Sequence, residues 1–353
     1  MKPLAIAGRA LDGTRPPFLI AEMSGNHNQS LAAALQIVDA AAASGADAIK
    51  LQTYTPQTLT IDSTRPEFFI DDPGGPWHGR RLWELYAEAH TPLEWHEPIF
   101  QAARRAGLAC LSSAFDLSSL DLLVRLRVDA LKIASFELVH LPLVDAAAAS
   151  GLPLILSTGM ATLSEIDDAV SVMRAHPDCR FALLKCTSAY PATEREANLL
   201  TMEDLRRRYD CPVGLSDHTI APHVAYAATA LGAVAIEKHL TLLRAAGGPD
   251  STFSLEPAEF AAMSDGVRRV WAALGTVTYG ALPSEAASLR ERPSIYVVKA
   301  MKRGEVFRSD CLRVIRPAAG LPPKAWPTVI GKAARADIDA GTPLSWDLVE
   351  IEL

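Results

Sequence analysis

The chain has 353 residues, of which 49% are hydrophobic and 21% are charged, and its formal net charge is -7. This composition is that of an ordinary globular protein with room for a large domain and a small one. The acidic balance argues against a nucleic-acid-binding or membrane-surface protein. Five cysteines without a CxxC spacing indicate reduced thiols. Since no stretch approaches the ~18 apolar residues of a membrane span, we expect a cytoplasmic protein with neither a nucleic-acid nor a membrane partner.

Eight apolar runs of strand length alternate with Ala- and Leu-rich helical stretches. In chain order the runs are PFLIAE, DAIKLQTY, LACLSSAF, ALKIASFE, PLILSTGM, FALLKCTSAY, CPVGLSDHT and AVAIEKHLT. Ser30, and either Thr162 or Ser164, are suited to cap two of the helices at the N-terminus. Eight β-then-α units predict an α/β fold of the (β/α)8 TIM-barrel type. A doubly wound open sheet is the alternative, but no GxGxxG motif follows the first strand.

Near residue 279 the alternation of apolar runs and helical stretches ends, and only short strand-like pieces follow. We predict a TIM-barrel catalytic domain over 1–278, a linker over 279–293 and a small β-rich domain over 294–353. The last contains the short strand-like pieces SIYVV, CLRVIRP, TVIGKAAR and PLSWDLVEI. A faint repeat aligns Gly304 with Gly341, which fits a duplicated hairpin with glycine in its turn.

Polar residues end nearly every predicted strand, and in a parallel barrel all these ends meet on one face. On the last two strands, His218 lies two residues after Ser216 and His239 two residues after Glu237, so each pair shares a strand face. Two imidazoles on neighbouring strands could hold one divalent ion such as Mn2+. The alternative is that each histidine is a hydrogen-bonded rim residue; their matching positions favour the ion.

Lys50 and Lys132 lie within apolar strands, where a lysine is costly unless it is paired. The same face carries serine hydroxyls, those of Ser113, Ser135, Ser157, Ser188 and Ser216. Together they predict a pocket for a multiply charged anion, such as one with a phosphate and a carboxylate. The alternatives are a Schiff-base lysine, as in aldolases, and structural ion pairs with Glu22 or Glu137.

Glu22 and Glu137 end the first and fourth strands, and either could activate a water or orient a sugar hydroxyl. An ion pair with a lysine is an equally good interpretation. Asp217 is expected to be the partner of a histidine. Asp250, in the glycine-containing loop after the last strand, could reach a polyol substrate. Cys186 has no histidine near it in sequence, so we expect a buried structural thiol.

Several segments in combination resemble the sialic acid synthase family: IAEMSGNHNQSL, AIKLQTYT, KIASFE, STGMAT, KCTSAYPA, GLSDHT and EKHLT. VIRPAAGLPPK and DIDAGTPLSWDLV resemble that family's antifreeze-like (SAF) domain, so the resemblance covers nearly the whole chain. KLQTYTPQTLTID, YAEAHTPLEWH and CTSAYPA are most similar to the pseudaminic acid synthases of the family. Two departures are Ala114, in LSSAFD where the family often has STPF, and Pro293 where an arginine is more usual.

The resemblance implies a reaction in which phosphoenolpyruvate condenses with an open-chain N-acylamino sugar aldehyde and phosphate is released. For the pseudaminate branch the sugar would be 2,4-diacetamido-2,4,6-trideoxy-L-altrose. Synthesis of N-acetylneuraminate or legionaminate from another N-acylamino sugar is the alternative within the family. A non-catalytic saccharide-binding protein is the alternative from another class.

The resemblance also implies roles for individual residues. Phosphoenolpyruvate would be held by Lys50, Ser113, Lys132, Ser135, Ser157, Ser188 and Ser216. His218 and His239 would bind Mn2+ or Mg2+. The sugar or the waters of the metal would contact Glu22, Gln52, Tyr190 and Asp250. The catalytic residues would be Glu22, Lys132 and Glu137, the last as the base that helps water to add. Arg316 would reach the active site of the other subunit in a domain-swapped homodimer.

Overall fold

A short antiparallel hairpin, β1 (Ala5–Ile6) and β2 (Arg9–Ala10), precedes a closed barrel of eight parallel strands in the computed structural model, which describes residues 4–350. The barrel strands are β3 (Phe18–Glu22), β4 (Ala48–Thr53), β5 (Ala109–Ala114), β6 (Ala130–Ile133), β7 (Leu154–Ser157), β8 (Phe181–Cys186), β9 (Val213–Asp217) and β10 (Ala235–His239). They follow one another around the barrel in chain order, and β10 pairs with β3 to close it. The predicted (β/α)8 barrel and its eight strands are therefore confirmed.

Helices connect the strands on the outside of the barrel. They are α1 (Leu31–Ala43), α2 (Pro56–Leu59), α3 (Leu82–Ala89), α4 (His96–Arg105), α5 (Leu117–Arg125), α6 (Leu141–Ala149), α7 (Leu163–Arg174), α8 (Thr201–Tyr209), α9 (His223–Ala230) and α10 (Pro257–Leu274). Both predicted N-caps form: the Ser30 hydroxyl accepts from the Ala33 N–H, and Thr162 forms a capping box with Glu165. Among residues 4–350 no helix is both long and apolar enough to span a membrane, and all five cysteines are free thiols.

The interior of the barrel has two tiers, because every second residue of a strand faces inward. The lower tier is apolar and consists of Ile20, Ala48, Leu111, Ala130, Ile155, Ala182, Leu184 and Ala235. The residues around the hairpin, Leu4, Ile6 and Leu11, pack in the same cluster. Two residues further along, the inward side chains are polar on most strands, whereas β8 continues with the thiol of Cys186. The carboxyl ends of the strands therefore form a polar face on an apolar floor.

The outward residues of the strands pack against the helices in the largest apolar cluster of the barrel. One buried ion pair lies in this outer layer: Lys238 Nζ is 2.7 Å from Asp217 Oδ2, and both side chains are almost fully buried. Lys238 also donates to the Thr219 carbonyl. The prediction that Asp217 is the partner of a histidine is wrong, because alternation turns Asp217 outward when His218 faces in.

The second compact unit begins after Gly275. It contains β11 (Ser294–Val297), β12 (Leu312–Ile315) and α11 (Trp326–Val329) around an apolar core of its own. Gly304 and Gly341 both have positive φ, at 84° and 92°, so each stands in a turn that favours glycine. The predicted strands TVIGKAAR and PLSWDLVEI contribute only isolated bridges. A reason for the second is Pro343, which lacks the N–H that a ladder needs.

Replacing Asp217 by alanine is expected to lower the free energy of unfolding of the barrel by about 3–5 kcal/mol, since Lys238 would stay buried without a counter-charge. Urea denaturation followed by circular dichroism measures this change. The matched control is Asp265→Ala, which breaks the exposed Asp265–Arg269 pair and should leave the unfolding curve nearly unchanged. Equal effects of the two substitutions would contradict the role given to the buried pair.

Candidate active site

The polar tier lines a pocket at the carboxyl ends of the barrel strands. Its lining residues are Glu22, Lys50, Gln52, Ser113, Lys132, Ala134, Ser135, Phe136, Ser157, Cys186, Tyr190, Ser216, His218, Glu237 and His239. Most of the residues predicted for the site are therefore brought together, although they come from all eight strands or the loops after them. Four predicted residues do not line this pocket: Glu137, Ser188, Asp250 and Arg316.

Two buried lysines share one carboxylate at the centre of the pocket. Lys132 Nζ is 3.1 Å from Glu237 Oε2, and Lys50 Nζ is 3.5 Å from Glu237 Oε1. Lys50 is also 2.7 Å from Glu22 Oε2. The ion pair considered between Lys50 and Glu22 is present, but the partner of Lys132 is Glu237 and not Glu137. Sequence reasoning missed Glu237, although its position two residues before His239 pointed to the same strand face.

Burial and mutual attraction oppose each other at the charged groups of this cluster. Burial would raise the pKa of Glu237, but Lys132 and Lys50 outweigh that effect and hold the pKa at about 2. Burial raises the pKa of Glu22, with repulsion from Glu237 adding to the shift against the opposing effect of Lys50. Burial lowers the pKa of Lys132, although Glu237 opposes this shift. The two lysines thus share one firmly ionised carboxylate, and they are the groups in this cluster that could also face an anionic ligand.

Serine hydroxyls surround the lysines. Lys50 donates to Ser113 Oγ at 3.0 Å, and Ser216 Oγ donates to Glu237 at 3.2 Å. The Gly159 N–H donates to Ser135 Oγ at 3.1 Å, and a Cβ on Gly159 would come within 2.3 Å of Ser188 Oγ. Ser188 therefore lies beside the pocket although it does not line it. The absence of a side chain at residue 159 leaves a small cradle of hydroxyl groups.

Ser157 adds an unused polar atom to this cradle. Its Oγ is buried and finds no hydrogen-bond partner in residues 4–350. A buried hydroxyl without a partner is unfavourable, so it is suited to a ligand that supplies one. Together with the lysines, these hydroxyls are the groups that bind phosphate and carboxylate oxygens.

The two histidine rings lie edge to face with their centroids 5.3 Å apart. His218 Nδ1 is 2.8 Å from the Thr187 carbonyl and donates to it, so in the neutral ring the lone pair lies on Nε2. Burial would lower the pKa of His218, but its interactions with Cys186 and Thr187 outweigh this and raise the pKa. His239 Nδ1 is buried and has no partner within the described part of the chain. Burial lowers the pKa of His239 well below its usual value, and His218 adds to this effect. The ring is therefore neutral and can offer a nitrogen lone pair to a metal ion.

These donors fit a divalent ion that takes its other ligands from water or substrate. Among residues 4–350 no group of three or more histidine, cysteine or acidic side chains is arranged to hold a metal by itself. Two imidazoles alone would hold such an ion weakly, as an exchangeable site. Binding of a divalent metal therefore stays a prediction, which the free ring nitrogens of His218 and His239 favour.

Cys186 faces the pocket, with Sγ 3.9 Å from His218 Nδ1 and 3.8 Å from Ser188 Oγ. Burial would raise the pKa of this thiol, but His218 and, less strongly, Ser135 and Lys132 bring the pKa down to about 7. Cys186 is buried as predicted. The view that it lacks a histidine partner is wrong, because His218 comes close only through the pairing of β8 with β9.

The remaining predicted residues stand outside the pocket lining. Glu137 lies in the 3-10 turn Phe136–Val139, and burial raises its pKa to about 7 despite the Lys132 charge. Asp250 is buried after β10, where it accepts a hydrogen bond from Ser24, and burial raises its pKa. Arg316 belongs to the second unit, where it follows β12 and is exposed.

Known protein families match the two parts of the chain separately. The sequence model of the NeuB family matches residues 37–279, and that of the SAF domain matches residues 292–350. The sequence is 41% identical over 340 residues to the pseudaminic acid synthase of Helicobacter pylori, covering 96% of this chain and 99% of that protein. It is 34% identical over 321 residues to the N,N'-diacetyllegionaminic acid synthase of Campylobacter jejuni, covering 90% and 95%.

Solved structures include a similar barrel with a similar sequence. The N-acetylneuraminic acid synthetase of Leptospira borgpetersenii, in complex with citrate, superimposes with a TM-score of 0.69 at 33% identity. The match covers 78% of this chain and 90% of that one. The expected resemblance, including the SAF domain, is therefore confirmed at the level of family and fold.

Proposed function

The chain belongs to the NeuB family and is a carbon–carbon bond-forming enzyme of that family, and we propose that it catalyses the pseudaminic acid synthase reaction. In this reaction phosphoenolpyruvate condenses with 2,4-diacetamido-2,4,6-trideoxy-L-altrose to give pseudaminate and phosphate. The choice of branch is supported by 41% identity to the Helicobacter pylori enzyme, against 34% to a legionaminate enzyme. A cytoplasmic location is part of the proposal.

The observation that carries the proposal is the pair of buried lysines around Glu237, ringed by serine hydroxyls. Phosphoenolpyruvate has a phosphate and a carboxylate on one small framework, and this ring offers cations and hydroxyl donors to both groups. Lys50 and Lys132 would neutralise the two anionic ends. A Schiff-base mechanism needs a neutral lysine. The pKa of Lys50 is raised, because Glu22 and Glu237 outweigh the opposite effect of burial, which speaks against Lys50 in that role. Burial lowers the pKa of Lys132 although Glu237 opposes the shift, so Lys132 is the lysine on which the Schiff-base alternative rests.

The proposed chemistry forms a carbon–carbon bond and a carbon–oxygen bond to water, and it breaks the carbon–oxygen bond to phosphate. The enol carbon of phosphoenolpyruvate attacks the aldehyde carbon, and positive charge develops at the carbon that bears the phosphate oxygen. The new alkoxide takes a proton, for which Glu22 is our candidate donor because burial raises its pKa. Water adds to the positive carbon and gives a proton to Glu137. The resulting adduct releases phosphate by cleavage of its carbon–oxygen bond and leaves a 2-keto acid.

The protein also has to hold the two reactants together, which supplies much of the rate in a two-substrate condensation. A Mn2+ or Mg2+ ion held by His218 and His239 would supply Lewis-acid polarisation of the aldehyde oxygen. Gln52 and Tyr190, which line the pocket, and the nearby Asp250 are proposed to contact the hydroxyl and acetamido groups of the sugar.

The direct test is phosphate release from phosphoenolpyruvate by the purified protein with a panel of aldehyde sugars. We expect release with the diacetamido-trideoxy-altrose, loss of release with EDTA, and recovery with Mn2+. Lys132→Met should lower kcat/KM by about 100- to 1000-fold. The matched control is Lys185→Met, which removes a similarly buried lysine from the outer face of β8.

Release with N-acetylmannosamine instead would move the protein to the neuraminate branch. Release that EDTA does not change would reject the metal. If no sugar supports release, the synthase proposal fails as a whole.

A pH profile tests Glu137 as the base. Because burial raises the pKa of Glu137 to about 7, its carboxylate form is lost as the pH falls through about 7, and kcat/KM should fall with it. Glu137→Gln should lower kcat/KM by about 100-fold or more and remove this acidic limb. Glu165→Gln is the control, since Glu165 is exposed and hydrogen bonds from Thr162 lower its pKa. An unchanged acidic limb in Glu137→Gln would assign the base to another residue.

We further propose a domain-swapped homodimer in which Arg316 of one subunit serves the pocket of the other; the family resemblance supports this. Inactive Lys132→Met and Arg316→Ala subunits can be combined in one heterodimer. A swapped heterodimer has one intact site, so it should regain about half of the wild-type turnover. Heterodimers that stay inactive would mean that Arg316 serves its own subunit, and a monomeric molar mass would reject the dimer.

A further inference from the structure

Three aromatic rings form a continuous surface beside the two histidines. The centroid of Tyr190 is 5.2 Å from that of Trp77 and 5.1 Å from that of Phe253, and Trp77 and Phe253 are 6.0 Å apart. Tyr190 is 4.5 Å from His218, and Phe253 is 5.0 Å from His239. We refer to Trp77, Tyr190 and Phe253 as the aromatic wall. Tyr190 lines the pocket, Phe253 is buried behind it, and Trp77 extends the row of rings beyond the lining residues.

Trp77 lies in the long segment, here called the excursion, that connects α2 to α3. Backbone hydrogen bonds between Ile70 and both Gly79 and Arg80 close the excursion as a hairpin-like turn. Arg80 pairs with Glu88 of α3, which fixes the base of the turn to the barrel. An element held in this way gives Trp77 a defined position at the edge of the pocket.

The chemistry of the wall is apolar. Trp77 Nε1 donates to the Pro249 carbonyl at 2.7 Å, so the one polar group of the indole is already used and its half-buried ring offers only hydrocarbon. Phe253 is 1% exposed and has no polar atom. Aromatic faces of this kind bind methyl and methine groups well. A hydroxyl group against Trp77 would lose its water without gaining a partner there.

We propose that Trp77 is a specificity-determining residue that contacts the deoxygenated end of the sugar. This inference rests on the proposed function. The aldehyde carbon must lie beside phosphoenolpyruvate at the lysines, so the far carbons of the open chain extend away from them, along the wall. There a terminal methyl group fits the indole, whereas a hydroxymethyl group is buried unpaired. Apolar pockets reject an added hydroxyl by about 100-fold, which sets the scale of the expected selectivity.

The test compares 2,4-diacetamido-2,4,6-trideoxy-L-altrose with its 6-hydroxy counterpart, by phosphate release at saturating phosphoenolpyruvate. The wild-type enzyme should favour the deoxy sugar in kcat/KM by about 10- to 100-fold. Trp77→Ala should lower kcat/KM for the deoxy sugar by at least about 10-fold, change that for the hydroxy sugar by much less, and leave the KM of phosphoenolpyruvate unchanged. Calorimetric titration with each sugar should show the same loss in affinity.

Two variants separate the indole face from its hydrogen bond. Trp77→Phe keeps a flat apolar ring but loses the bond to Pro249, so it should keep most of the selectivity. Trp271→Ala is the matched control, since Trp271 is also partly exposed and also donates to a backbone carbonyl, that of Gly13. It should leave both sugars unaffected. Should Trp77→Ala not fold, Trp77→Gln offers an amide that can pair with a hydroxyl and should shift the preference toward the hydroxy sugar.

Equal losses on both sugars in Trp77→Ala and Trp77→Phe would overturn the inference, because Trp77 would then only hold the loop that carries Asp250. A wild-type enzyme that uses both sugars equally well would also overturn it. Failure of the proposed function is seen separately, in the wild-type enzyme alone, as turnover of N-acetylmannosamine and neither altrose sugar.

Discussion

The alternation of side chains along a β-strand is the constraint on which this barrel depends. Because every second residue faces inward, the eight strands together form an apolar lower tier and a polar upper tier, while the residues between them pack against the helices. The core, the pocket and the outer Asp217–Lys238 pair are thus set by one register. A slip of one residue in any strand would turn its polar side chain out of the pocket and an apolar one into it.

The same register brings together charged side chains that are stable in a protein interior only when they are paired. Lys50 and Lys132 can remain cationic because Glu237 lies within reach of both, and Glu237 can remain ionised because it has two cations. Replacing a buried ion-pair cluster by apolar residues of the same volume is often neutral or stabilising, so keeping the cluster fits the anion-binding role proposed above.

Most of the fold was predictable from sequence because each strand shows an apolar run with a polar end. Lys50, Lys132 and the serines could be placed in one pocket by the rule that parallel strand ends converge. Glu237 was missed because its role depends on a lysine from the opposite side of the barrel, and Asp217 was misassigned because alternation was not applied to it. Trp77 could not be found at all: its excursion has no periodicity, and its partners are remote in sequence.

The hairpin β1–β2 fills the barrel from the end opposite the pocket, where Leu4, Ile6 and Leu11 join the apolar tier. The floor of the pocket is therefore backed by apolar side chains. On β10, Glu237 lies one tier below His239, so the groups suited to phosphate lie at the bottom and the histidines nearer the opening. A molecule seated at the upper level would close the way to the lower one. Under the proposed function, phosphoenolpyruvate would therefore have to bind before the sugar, and the deeper ligand could exchange only after the shallower one had left.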